Sequence, residues 1–213
     1  MLNSSNPFQH YRESVMIKDN LKCRHITAGE GSYYAGYYHG KPFENCVMYL
    51  DEIDNKHEPE DIDKLIIGRY CSIASGVQFM MCGTQGHNYN WIATHPLIDI
   101  DGSHFPGHQW KGDTVIGNDV WLGAECLIMP GIKIADGAVI AARAVVTKNI
   151  GPYEIWGGNP ARLIKKRFSD QEIDKILQIK WWDWNLDTLE RNIQYLRSSD
   201  VETLWQKYQN KQL

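Results

Sequence analysis

From Ile116 onward, aliphatic side chains return at every sixth residue: Ile116, Leu122, Ile128, Ile134, Ile140 and Val146. The residue after each is mostly small (Gly117, Gly123, Met129, Ala135, Ala141, Thr147). The fourth after each is small or apolar (Val120, Cys126, Ile132, Ala138, Ala144, Ile150). An earlier block obeys the same rule through Ile67, Ile73 and Phe79, and a weaker start lies at Ala28-Gly29-Glu30-Gly31-Ser32-Tyr33. Period six is neither the 3.6 of a helix nor the simple alternation of a half-buried strand. It predicts a short strand and a tight corner, repeated, with the aliphatic residue pointing inward and the small one letting the backbone bend past it. One such side buries too little alone, so stacked coils must share a continuous core. The expected fold class is therefore β, a parallel β-helix with coils at residues 66–80 and 114–156.

Between Met80 and Thr114 the register is lost, in a stretch rich in Gly, His, Asp and aromatic residues. Long excursions from a regular scaffold are usually functional or disordered, and the aromatic content here argues for an ordered one. Four of the eight histidines (His87, His95, His104, His108) fall in it, and none follows it. Gly157-Gly158-Asn159-Pro160-Ala161 breaks the register again, ahead of the basic Lys165-Lys166-Arg167. Ser169 with Glu172 three residues on is a capping-box signature. Helices are predicted from there to about Lys180, over 187–196 and over 201–208. Trp181, Trp182 and Trp184 are expected to anchor them on the β-helix. The chain thus divides into an N-terminal extension (1–25), a β-helix domain (26–168) with a protruding loop (81–113), and a C-terminal helical segment (169–213).

Composition narrows the function. The chain of 213 residues is 43% hydrophobic and 23% charged with a formal net charge of −4, an ordinary globular balance that advertises no nucleic-acid partner and no acidic membrane. The five cysteines are odd in number and scattered without a CxxC pair, which suits free thiols in a reducing cytoplasm. No run approaches the ~20 apolar residues of a membrane span, and the first residues carry no signal-peptide core.

Outside the repeat, several motifs carry a resemblance. Ser32-Tyr33-Tyr34 with Gly36-Tyr37-Tyr38, Asp63 to Gly68, Gln85-Gly86-His87, Gly117-Asn118-Asp119-Val120-Trp121 and Gly157 to Ala161 together resemble the xenobiotic acetyltransferase branch of the hexapeptide-repeat acyltransferases. The 33–40 stretch and the Thr84-Gln85-Gly86-His87 loop look most like its type B chloramphenicol acetyltransferases. That resemblance implies a left-handed β-helix, a homotrimer with active sites at subunit junctions, acetyl-CoA as co-substrate, no metal, and a small-molecule antibiotic as acceptor. The alternative acceptor is a streptogramin A or another hydroxyl compound. It further implies that His87 is the catalytic base, that Tyr33, Tyr49 and Trp121 line the acceptor and acetyl sites, and that Ala141, Ala142, Gly157 and Gly158 flank the pantetheine arm. Lys165 and Lys166 either meet the coenzyme phosphates or form a solvated surface.

The chemistry agrees with that assignment. An alcohol is a poor nucleophile until its proton leaves, and histidine, with an ordinary pKa of about 6.5, suits the task. A scaffold of this kind also hosts metal enzymes such as γ-class carbonic anhydrases, but those need histidines on neighbouring coils, and residues 109–213 hold none. A purely structural β-helix would need neither the His87 loop nor the basic run.

Overall fold

The computed structural model describes residues 6–50, 62–84, 87–95, 97 and 109–212. A short β1 (Val15–Met16) precedes four coils of three strands each. The first coil is β2 (Ile26–Ala28), β3 (Tyr33–Ala35) and β4 (Val47–Met48), and the second is β5 (Leu65–Ile67), β6 (Ser72–Ala74) and β7 (Gln78–Met80). After the long loop come β8 (Thr114–Ile116), β9 (Trp121–Leu122) and β10 (Leu127–Ile128), then β11 (Lys133–Ile134), β12 (Val139–Ile140) and β13 (Val145–Val146). A terminal hairpin of β14 (Glu154–Gly157) and β15 (Arg162–Lys166) ends the scaffold.

Strands of equal rank pair in parallel, coil upon coil, and give three sheets. Sheet I runs β1-β3-β6-β9-β12-β14-β15, sheet II β4-β7-β10-β13 and sheet III β2-β5-β8-β11. The six-residue register becomes three inward columns. Tyr34, Ile73, Leu122 and Ile140 stack in sheet I, Val47, Phe79, Ile128 and Val146 in sheet II, and Ile67, Ile116 and Ile134 in sheet III. All of these are buried. The two repeat blocks, separated in sequence by the loop, stack in register: Ile67 pairs with Ile116, Ile73 with Leu122 and Phe79 with Ile128. The small residues sit at the corners, where coils approach closely. A Cβ added at Gly68 would lie 2.5 Å from the Gly117 carbonyl oxygen, so only glycine fits there.

The segment that the sequence sets apart as an extension is tied into this scaffold. β1 pairs antiparallel with β3, and Phe8 and Ile17 are buried with the main core. A single antiparallel edge strand has no six-residue repeat to betray it, which is why the register does not reach it.

The C-terminal helices are α1 (Asp170–Ile179), α2 (Leu186–Leu196) and α3 (Val201–Gln209). The capping box at Ser169 and Glu172 is formed on both sides. Among the anchors, the Trp181 ring lies 5.1 Å from Tyr70, and Arg69 donates to the Trp182 carbonyl and pairs with Asp183. These contacts hold the helical segment on the corner between sheets III and I. Arg167 is clamped there between the rings of Tyr153 and Phe168, donates to the Gly137 carbonyl at 2.7 Å, and lies 3.4 Å from Asp119. Burial pushes the Asp119 carboxyl up to about 6, against the pull of Arg167 and with a further push from Asp136. A carboxyl raised above its unfolded value stabilises the fold when protonated, and that contribution is lost as pH rises through about 6. Replacing Asp119 by Asn removes this loss. The melting temperature of Asp119→Asn relative to the parent should therefore climb between pH 4 and pH 7; a constant difference across that window would refute the assignment.

Candidate active site

The loop leaves at the end of β7 in sheet II and returns at the start of β8 in sheet III, so its root lies at the corner opposite sheet I. Hydrogen bonds between Thr84 and Gln109 close its neck: Thr84 N–H donates to the Gln109 carbonyl (3.3 Å), and Gln109 N–H donates to Thr84 Oγ1 (2.9 Å). His87 follows, exposed, with its backbone N–H on the Thr84 carbonyl at 3.0 Å. Its Nδ1 lies 3.0 Å from the Thr94 carbonyl oxygen. A carbonyl can only accept, so Nδ1 carries the proton and Nε2 keeps its lone pair in the neutral ring. The ring is thereby presented in the tautomer that a general base requires, through Nε2.

Of the other loop histidines, His95 accepts the Leu97 N–H on its Nδ1 (2.9 Å), a contact two residues along the chain. His104, His108, Gln85 and Gly86 lie outside the described residues. Among the described residues, no three His, Cys, Asp or Glu side chains converge as a metal-binding set.

Tyr33 and Trp121 share one outward column of sheet I. Cα pairing runs Tyr33, Ser72, Trp121, Val139, Ile155 and Lys165. Strands stack about 4.8 Å apart, so Tyr33 and Trp121 stand roughly 10 Å from each other on the same surface. Trp121 is 56% exposed, too open for a core anchor. Tyr49 stands elsewhere, just past β4 in sheet II. Its backbone is left-handed (φ 70°), its ring is exposed, and its carbonyl accepts the Cys82 thiol at 2.8 Å. Tyr49 thus belongs with the loop root, on the far side of the prism from Tyr33 and Trp121.

The residues expected along the coenzyme arm gather at the last coils. Ala141 follows β12, and a Cβ built on Gly157 would meet the Ala141 methyl at 3.1 Å. The Ala141 amide is itself taken by the Trp156 carbonyl (2.8 Å), so this position offers a small surface rather than a donor. Ala142 is exposed at the corner. Gly158 has a left-handed φ of 94°, and a Cβ there would meet only the Pro160 carbonyl oxygen, at 3.8 Å, leaving its backbone approachable. Lys165 and Lys166 lie on the fully exposed β15. Lys166 is paired with Asp170 four residues on, whereas Lys165 extends the Tyr33–Trp121 column. The Thr94 carbonyl and the closure of Thr84 on Gln109 leave no signal in the sequence, which marks Thr84 only as part of the Thr84–His87 motif. No side-chain pattern announces a carbonyl as a partner.

Comparison with known proteins adds to this geometry. The family described as bacterial transferase hexapeptide (six repeats) matches residues 113–148. The chain is 43% identical over 210 residues to a chloramphenicol acetyltransferase of Escherichia coli, covering 96% of this chain and 98% of that one. It is 40% identical over 217 residues to a virginiamycin A acetyltransferase of Staphylococcus aureus, covering 94% and 90%. Among solved structures, a maltose O-acetyltransferase from Clostridium difficile 630 is 28% identical, with a TM-score of 0.45 over 68% of this chain and 61% of that one.

Proposed function

The chain belongs to the hexapeptide-repeat acetyltransferase family that includes the chloramphenicol and virginiamycin A enzymes, and from that membership we propose that it acetylates a hydroxyl of chloramphenicol by direct transfer, with His87 Nε2 as general base. Acetyl-CoA, the co-substrate, supplies an activated acetyl thioester. The observation that carries the reading is the Nδ1 bond to the Thr94 carbonyl. It fixes the neutral tautomer, so Nε2 takes the acceptor's hydroxyl proton as the oxygen attacks. No acetyl-enzyme is needed, and the proton on Nε2 is then available to the departing thiolate.

The working assembly is a homotrimer. One chain places Tyr33 and Trp121 on sheet I and the root of the His87 loop at the opposite corner, so joining acceptor wall to base calls for a neighbouring copy. Light scattering of the active enzyme should give three chain masses. The small residues Ala141, Ala142, Gly157 and Gly158 leave room for a slim pantetheine arm, and Lys165 and Lys166, toward the other end of the β14–β15 hairpin from Gly157, are the cations offered to the phosphates. All five cysteines are free thiols, in keeping with work in the reducing cytoplasm; among the described residues, no helix is long and apolar enough to cross a membrane.

The similarity to the virginiamycin A enzyme favours one second reading, a streptogramin A acceptor. Thiol release measured with chloramphenicol, a streptogramin A, serine and simple sugars decides between them. Chloramphenicol should be turned over fastest, with 3′-dephospho-coenzyme as donor serving worse than the parent. Preference for the streptogramin, or indifference to the 3′-phosphate, would respectively overturn the acceptor and the role of the lysines.

A further inference from the structure

The neck of the loop uses Thr84 in an unusual way. In a regular antiparallel pair, the returning Gln109 N–H would donate to the Thr84 carbonyl, answering the Thr84 N–H that donates to the Gln109 carbonyl. Here the Gln109 amide goes instead to the Thr84 hydroxyl (2.9 Å), while the Thr84 carbonyl receives the His87 N–H (3.0 Å). A side-chain oxygen has taken over the neck contact, and the backbone oxygen is released to hold the residue that carries the imidazole. The substitution works because Oγ1 sits two bonds from Cα and can reach a cross-strand amide that the carbonyl would otherwise face. The neck is also tight at the preceding residue. Gly83 is left-handed (φ 57°), and a Cβ there would run into the Gln109 carbonyl oxygen, so the two sides of the neck approach at a distance only glycine allows.

We propose that Thr84 is a positioning residue for His87: its hydroxyl satisfies Gln109 so that its carbonyl can fix the His87 backbone. This rests on the reading of His87 as the base. With the Thr94 carbonyl on the ring, His87 is then held at two points, backbone and Nδ1, and the direction of Nε2 follows from both. Loss of the hydroxyl leaves two amides, Gln109 N–H and His87 N–H, competing for one carbonyl. The His87 backbone shifts, and a misplacement of about 1 Å in a reacting group can cost up to ~10²-fold in rate.

The isosteric Thr84→Val and the conservative Thr84→Ser variants test this. Thr84→Val should lower kcat by about 10- to 100-fold with the KM for acetyl-CoA unchanged and the melting temperature close to the parent's. Thr84→Ser, which keeps the acceptor oxygen, should restore turnover to within about threefold. The decisive measurement is the cycle with His87→Ala. If Thr84 acts through His87, adding Thr84→Val to His87→Ala changes the residual rate by less than about twofold, because residues that act as a unit are not additive. An undiminished loss in the His87→Ala background sinks the proposal and leaves the base reading standing. So does near-parental kcat in Thr84→Val, the outcome if water serves the Gln109 amide. Full turnover of His87→Ala by itself removes the base reading and this proposal with it.

Discussion

His87→Ala lowers turnover with chloramphenicol by about 10²–10⁴-fold, the usual range for a lost general base, while leaving acetyl-CoA binding and thermal stability nearly unchanged. The second half of that expectation comes from position. His87 is exposed on a loop outside the three inward columns, and truncating such a side chain leaves no core cavity. Its Nδ1 bond to Thr94 is lost with it, which loosens the loop locally without touching the coils. Equilibrium titration of acetyl-CoA into the variant separates binding from chemistry. Near-parental turnover in His87→Ala with any accepted alcohol would falsify the assignment and send the search to the remaining loop histidines.

The coils were legible in the sequence because every stacked strand repeats the same problem, one inward side chain and one corner. Ile67, Ile73 and Phe79 stand on the same six-residue register as Ile116, Leu122 and Ile128, and the structure pairs them one to one across the loop. The first coil was legible only faintly. Its inward residues are Tyr34 and Val47, thirteen apart where Ile73 and Phe79 are six, because a longer stretch that includes the Phe43–Cys46 turn inserts between them. The hand of the helix was never in the spacing and came with the family. For the site, the Gln85-Gly86-His87 motif singled out His87 among four loop histidines as the candidate base, but what orients it did not show. The Thr94 carbonyl belongs to the backbone, and Thr84 and Gln109 meet only because the loop closes on itself across twenty-five positions. Spacing likewise could not tell that Tyr33 and Trp121 share a face while Tyr49 stands across the prism, since that follows from which strand of each coil carries them.

Ile128→Ala costs the fold about 2–5 kcal/mol, the range for removing a large aliphatic side chain from a packed interior. Ile128 is fully buried in sheet II, paired above with Phe79 and below with Val146. The coil geometry makes the loss hard to repair. The strand that carries it, β10, is only two residues long and hydrogen-bonded to β7 on one side and β13 on the other, so the backbone cannot sink into the cavity without breaking ladder bonds on either side. For a chain of this size, each kcal/mol corresponds to roughly 2–4 °C, so the melting temperature should fall by about 4–20 °C. Ile92→Ala makes the same chemical change on a fully exposed loop side chain and should stay within about 0.5 kcal/mol of the parent. Phe79 lies at the last coil position before the loop root, so the loop's support weakens with Ile128, yet the hydrogen bonds of the neck and of His87 are untouched. Below its melting temperature Ile128→Ala should therefore keep the parent's kcat. Equal melting shifts for the two alanine variants would show that the six-residue register does not carry the core. A kcat loss in Ile128→Ala well below its melting point would show instead that the coils govern the chemistry directly.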